Sequence, residues 1–60
     1  MKRKELHEEY WFIDEHLKVR KEHEGSTLYD GLKWNCGNYF ETEEQAGRMR
    51  ERILNMLKDR

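Results

Sequence analysis

The sequence predicts a small α+β domain, an antiparallel sheet of two or three strands packed on one C-terminal helix. Three observations carry this. Tyr10-Trp11-Phe12-Ile13 is a run of aromatic and β-branched side chains closed by Asp14, which is strand composition. Thr42-Glu43-Glu44-Gln45 has the form of a capping box, with Thr42 accepting from the N–H of Gln45 and Gln45 reaching back to the N–H of Thr42. Ala46, Met49, Ile53, Met56 and Leu57 then recur at three- and four-residue spacing, which draws an apolar stripe along a helix from Glu43 to Lys58.

The elements follow in order. Residues 1–9 are almost wholly charged and read as an arm, frayed unless a partner holds it. Residues 10–60 are the single domain. In the first strand Tyr10 and Phe12 face one way and Trp11 and Ile13 the other, so both faces are apolar. Either the strand is central or one face meets something outside the domain. Asp14-Glu15-His16-Leu17 reads as a turn, and residues 18–23 return as a polar strand suited to an edge. Residues 24–27 form a loop. Asp30-Gly31 carries a turn signal. Leu32, Trp34 and Cys36 alternate with polar residues, which predicts a third, half-buried strand. Gly37-Asn38 breaks it and Tyr39-Phe40 completes the apolar run. In the helix, Glu43 and Glu44 suit the positive end of the dipole, and Lys58 and Arg60 the negative end. The expected core is Phe12, Val19, Trp34, Tyr39, Phe40, Ala46, Met49, Ile53 and Leu57.

Bulk properties narrow the function. Sixty residues make one domain. A chain this short buries only about 60% of its unfolded surface, so a partner or a second copy is the expected support. Cys36 is the only cysteine, which excludes an internal disulfide and suits a reducing compartment. No run approaches the ~20 apolar residues of a membrane span, and Glu5, His7, Glu8 and Glu9 interrupt any leader. A cytoplasmic location is expected. The charge is balanced, 12 Lys+Arg against 13 Asp+Glu, unlike a strongly basic nucleic-acid binder.

The chemistry-bearing residues are few and scattered. His7, His16 and His23 fall in an arm, a turn and a strand end, without metal-ligand spacing, so no metal is expected. Cys36 has no base placed beside it and reads as a small core residue. The acidic residues are distributed, and sixty residues rarely enclose the pocket that paired carboxylates need. No catalytic residue and no cofactor are expected. The surplus is aromatic: Tyr10, Trp11, Tyr29, Trp34 and Tyr39 exceed what one thin core buries on a single face. Exposed aromatics beside arginine are typical of protein interfaces, which makes Tyr10, Trp11, Arg20 and Tyr29 the candidate partner-binding set. Lys18, Arg20 and Lys33 are the alternative, a basic set for reading DNA with the sheet face. Acidic neighbours on the same elements weigh against it. A homodimer through the second apolar sheet face is the third reading.

One stretch carries a resemblance. Gly37-Asn38-Tyr39-Phe40-Glu41-Thr42-Glu43-Glu44-Gln45-Ala46, with Tyr10-Trp11-Phe12-Ile13-Asp14 before it, resembles the signature of a family of short phage and prophage proteins. The match spans roughly residues 10–57. It departs at His16-Leu17, where that family often has a glycine, and at Leu28–Gly31. Phe40 to Ala46 is more loosely similar to the strand-to-helix step of sheet-plus-helix DNA-binding modules of AP2-like and integrase arm-binding type. The resemblance implies a phage-type accessory protein, non-catalytic, that binds and inhibits or regulates a host or phage protein.

Overall fold

The computed structural model describes residues 1–59, so Arg60 and its expected part in the helix dipole lie outside the described residues. Two strands form as the aromatic and edge patterns dictate. β1 (Glu9–Ile13) pairs antiparallel with β2 (Val19–His23), with Tyr10 opposite Glu22, Phe12 opposite Arg20 and Ile13 opposite Val19. The turn between them is built on Asp14. Its Oδ1 accepts from the N–H groups of His16 at 2.8 Å and Lys18 at 2.9 Å, and its carbonyl accepts from Leu17 N–H at 3.0 Å. Leu17 stands left-handed at φ 60, a conformation that costs an L-residue about 1–2 kcal/mol. The Arg50 Nε donates to its carbonyl at 2.6 Å and helps hold it there.

The expected third strand is instead a helix, α1 (Leu28–Asn35). The alternation of Leu32, Trp34 and Cys36 loses to a local start signal. Thr27 caps α1, accepting from Asp30 N–H at 3.2 Å and donating its hydroxyl to Asp30 Oδ2 at 2.8 Å, while Asp30 also accepts from Thr27 N–H. This is a reciprocal capping box with Asp at its third position. Asp30-Gly31 is therefore helix interior and not a turn. The stop comes at Gly37, left-handed at φ 81. Its N–H donates to the Trp34 carbonyl and that of Asn38 to the Lys33 carbonyl, which satisfies two of the terminal acceptors.

The chain then runs beside the free edge of β1. Asn38 pairs both ends of its amide with the backbone of Ile13, each at 2.7 Å. Phe40 and Trp11 exchange two backbone hydrogen bonds at 2.8 Å, so the third strand shrinks to one bridge. β1 is thus central. The last element, α2 (Glu43–Lys58), starts where expected, with Thr42 Oγ1 accepting from Gln45 N–H at 3.2 Å. Gln45 does not reach back to Thr42; it accepts from the N–H of Glu41, one residue earlier, at 3.1 Å.

Directly paired residues share a face, so the pairing fixes the layers. Trp11, Ile13, Val19 and Phe40 lie on the face that α2 covers, where Ala46 is buried and Met49 and Ile53 are half-buried. Tyr10 and Phe12 lie on the other face, where Asp30 of α1 takes the Tyr10 hydroxyl, Lys33 lies over the Phe12 ring and Trp34 packs edge-on against Tyr39. The strands pack against the C-terminal helix as expected, and α1 meets the other side of β1 through a few side chains. Several core assignments change as a result. Tyr10 is fully buried, as is Ile13 nearly so, while Leu32, Cys36 and Leu57 are exposed. Leu57 falls at the end of α2, beyond the short strands.

The arm of residues 1–8 is tied to the body by its own chain. His7 N–H donates to the Glu24 carbonyl and Glu24 N–H to the Glu8 carbonyl, each at 2.8 Å, which extends the hairpin past its last rung.

Candidate functional site

α1 has opposite characters on its two sides, and the inner side is the polar one. Tyr10 and Tyr39 stack at 4.0 Å between ring centres, and each hydroxyl donates to a buried carboxylate. Tyr10 donates to Asp30 Oδ1, and Tyr39 donates to Glu24 Oε1 at 2.8 Å. Asp30, 3% exposed, also accepts on Oδ2 from Gly25 N–H at 3.0 Å and from both N–H and Oγ1 of Thr27. Glu24, 1% exposed, takes the Arg3 guanidinium in a two-pronged pair at 2.8 and 3.2 Å, and Ser26 N–H at 2.9 Å. Lys4 N–H donates to the Tyr39 hydroxyl at 3.0 Å.

The acidities follow from these bonds. Burial pushes the Asp30 carboxyl up, but the donors from Tyr10, Thr27 and Gly25 outweigh it and hold the group well below the usual carboxylate range. The Arg3 guanidinium holds Glu24 low against the opposing effect of burial. Burial and the Asp30 carboxylate push the Tyr10 phenol far up, and burial with Glu24 pushes Tyr39 up to about 12. Among the described residues no buried side-chain polar atom lacks a partner. The cluster anchors α1, the loop before it and the arm to the sheet.

The outer side of α1 is the apolar one. Leu28 is 75% exposed, Tyr29 73% and Leu32 53%, and Cys36 just past the helix is exposed as well. Leu28, Leu32 and Cys36 are four residues apart and Tyr29 flanks them, so the four line one side. Asp30, Lys33 and Trp34 take the side toward the sheet. A surface helix normally turns its apolar stripe inward. Here polar side chains do the anchoring and the apolar stripe faces solvent. Contiguous exposed apolar patches mark interaction sites.

The residues expected to meet a partner separate. Tyr29 lies on the outer face of α1. Tyr10 is in the core and offers nothing to a partner. Trp11 is half-buried on the α2 side of the sheet, with Lys21 Nζ 5.8 Å from its ring centre. Arg20 is on β2, paired with Asp14 at 2.8 Å, which together with backbone donors holds the Asp14 carboxyl down to about 2. The basic alternative is brought closer together. Arg20 sits opposite Phe12, and Lys33 Nζ lies 3.9 Å from the centre of the Phe12 ring. Lys18 is exposed two residues before Arg20. On the sheet face that was to meet DNA, Tyr10 and Phe12 meet side chains of α1, while Arg20 and Glu22 of β2 are exposed.

A strand's period over residues 32–36 hides Leu28 and Leu32 as an exposed pair. The cap Thr27-x-x-Asp30 with leucines at 28 and 32 is the signal that finds them.

A second feature is a groove of about 330 Å³ between the hairpin turn, the end of α1 and α2, lined by Ile13, Leu17, Cys36, Phe40, Met49 and Ile53 among others. All three histidines are exposed, and among the described residues no three His, Cys, Asp or Glu side chains gather as a metal site. No helix among the described residues is long and apolar enough to cross a membrane. Compared with known proteins, the chain matches no family model, no curated protein and no solved structure.

Proposed function

We propose that the protein is a small non-catalytic protein-binding module that presents the outer face of α1 to its partner. The observation that carries this is the inverted helix: Leu28, Tyr29 and Leu32 lie in solvent while Asp30 is buried beneath them. Burying those three side chains is a hydrophobic gain that the folded chain leaves unused. The resemblance to short phage and prophage proteins supports an accessory role, inhibiting or regulating a host or phage protein. The exposed, unpaired Cys36 fits a reducing cytoplasm.

The test compares target retention by immobilised wild-type protein and by a Leu28→Gln/Leu32→Gln variant. Glutamine keeps leucine's helix propensity, so the comparison isolates the surface. Loss of a retained protein in the variant, with an unchanged far-UV spectrum, supports the reading. Equal retention refutes it.

A second reading rests on Arg20 and Lys33 flanking Phe12. A patch of this kind meets an anionic strand, and duplex DNA titrated at low and moderate salt decides it. Binding that falls steeply with salt requires phosphate contacts. Against this, Arg20 is already paired with Asp14, and Glu22 lies on the same face as Arg20.

A further inference from the structure

We infer that a trough along one flank of α2 is a second docking site, and that it takes an acidic amphipathic helix of a partner protein. This goes beyond the reading of the outer face of α1. Leu28, Tyr29 and Leu32 do not line the trough.

Two hollows make it up. The groove of about 330 Å³ between the hairpin turn, the end of α1 and α2 is joined by a smaller hollow of about 240 Å³, lined by Phe40, Gln45, Arg48, Met49 and Arg52. Phe40 and Met49 line both, so the two are continuous. The floor is apolar. Met49, Ile53 and Met56 follow one another at four and three residues and lie on one side of α2, and Met56 is 73% exposed. Methionine is flexible and polarisable, and suits a surface that re-packs around a partner.

Charge chooses the occupant. Arg48 and Arg52 stand exposed on the α2 rim, about 6 Å apart along the axis. Among the described residues, neither lies within ion-pair distance of a carboxylate. The carboxylate that does line the trough, Asp14, is already held by Arg20 at 2.8 Å. An apolar floor with two unneutralised guanidinium groups on its rim is complementary to an apolar stripe flanked by carboxylates. Carboxylates one turn apart on a facing helix match the spacing of Arg48 and Arg52, and each can take a two-pronged guanidinium pair. Laying the apolar face of a helix in a groove is a recurring mode of peptide recognition.

Methyl NMR on the whole chain, titrated with capped amphipathic peptides about four helical turns long, reads the site directly. The peptides carry leucine at three- and four-residue spacing and differ only in their polar positions, which are glutamate, glutamine or lysine. The glutamate peptide should shift the methyl signals of Leu17, Met49 and Ile53. At low salt it should bind about tenfold more tightly than the lysine peptide, and the gap should close as salt rises. Arg48→Glu/Arg52→Glu should reverse that order. Arg48→Gln/Arg52→Gln should bring the peptides to equal affinity, and both variants should keep the wild-type far-UV spectrum because the two side chains are exposed. Leu28→Gln/Leu32→Gln should bind the glutamate peptide as the wild-type chain does, so failure of one surface leaves the other measurable. Decanoate, titrated in parallel, tests a small amphiphile as the occupant. No shift in the trough at about 1 mM peptide, which marks affinity too weak for a docking site, would overturn the proposal. Equal affinity of the wild-type chain for the glutamate and lysine peptides, or a response to decanoate alone, would also overturn it. Shifts confined to Leu28 and Leu32 would overturn it and leave the reading of the α1 face standing.

Discussion

Tyr10→Phe removes one oxygen from the anchor beneath α1 and leaves the ring in place. In the wild-type protein that hydroxyl is the donor to Asp30 Oδ1 and the acceptor for Lys33 Nζ at 3.2 Å. Asp30 keeps three donors, all on Oδ2, so the variant leaves Oδ1 without a partner at a residue only 3% exposed. A hydrogen bond to a charged group contributes about 1.5–3 kcal/mol, and a buried acceptor stripped of its donor loses most of that. The expected destabilisation is about 2–3 kcal/mol. At roughly 0.05–0.15 kcal/mol per residue, a 60-residue domain has only about 3–9 kcal/mol in total. Urea unfolding followed by circular dichroism should therefore show a clear fall in midpoint, and the melting temperature should drop by on the order of 10 °C or more. The variant also carries a signature in pH. Burial raises the Tyr10 phenol above its unfolded value near 10, so above that pH the unfolded chain releases a proton that the folded chain keeps. Stability is full below pH ~10 and declines above it, and Tyr10→Phe should flatten that decline. A loss below about 0.5 kcal/mol, or an unchanged alkaline slope, would refute the account of the anchor.

The remaining predictions use other parts of the same framework. Glu24 and Asp30 are held below the ordinary carboxylate range, so their contribution is complete above the unfolded values near pH 4 and is lost as pH falls below them; acid unfolding monitored by tryptophan fluorescence should begin only below about pH 4. Thr27→Ala removes the cap of α1 and one donor to Asp30, and should cost about 1–2 kcal/mol in urea unfolding. Asn38→Ala leaves the backbone N–H and C=O of Ile13 unpaired at the edge of β1, and should cost about 2 kcal/mol with faster amide exchange at Ile13.

The parts of the fold legible in the sequence are those whose local signals agree with their tertiary setting. β1 is a dense aromatic run, and α2 has both a cap and a stripe, so its observed span of Glu43–Lys58 is the one its pattern predicts. α1 was misread because two signals conflict over residues 28–36. The alternation of Leu32, Trp34 and Cys36 favours a strand, but the Thr27–Asp30 box fixes a helix start. Tyr10 and Asp30 were missed as core for a related reason. Burial of a polar group depends on a partner distant in sequence, and the donor that makes Asp30 tolerable in the interior stands twenty residues away. The same cause hid the exposed apolar side of α1. Once Asp30, Lys33 and Trp34 are known to face the sheet, Leu28, Tyr29 and Leu32 have only solvent to face. The excess of aromatics divides between an exposed position, Tyr29, and a buried stack, Tyr10 and Tyr39.

The measurement that tests the central claim most directly is the urea midpoint of the Leu28→Gln/Leu32→Gln variant beside that of the wild-type chain at low protein concentration. If the outer face of α1 is surplus to the monomer's fold, the two midpoints agree within about 0.5 kcal/mol, because exposed substitutions away from core, caps and buried bonds change little. A loss of about 2 kcal/mol or more for each leucine, the cost of emptying a core position, would mean that this face packs against the rest of the chain and is no interface.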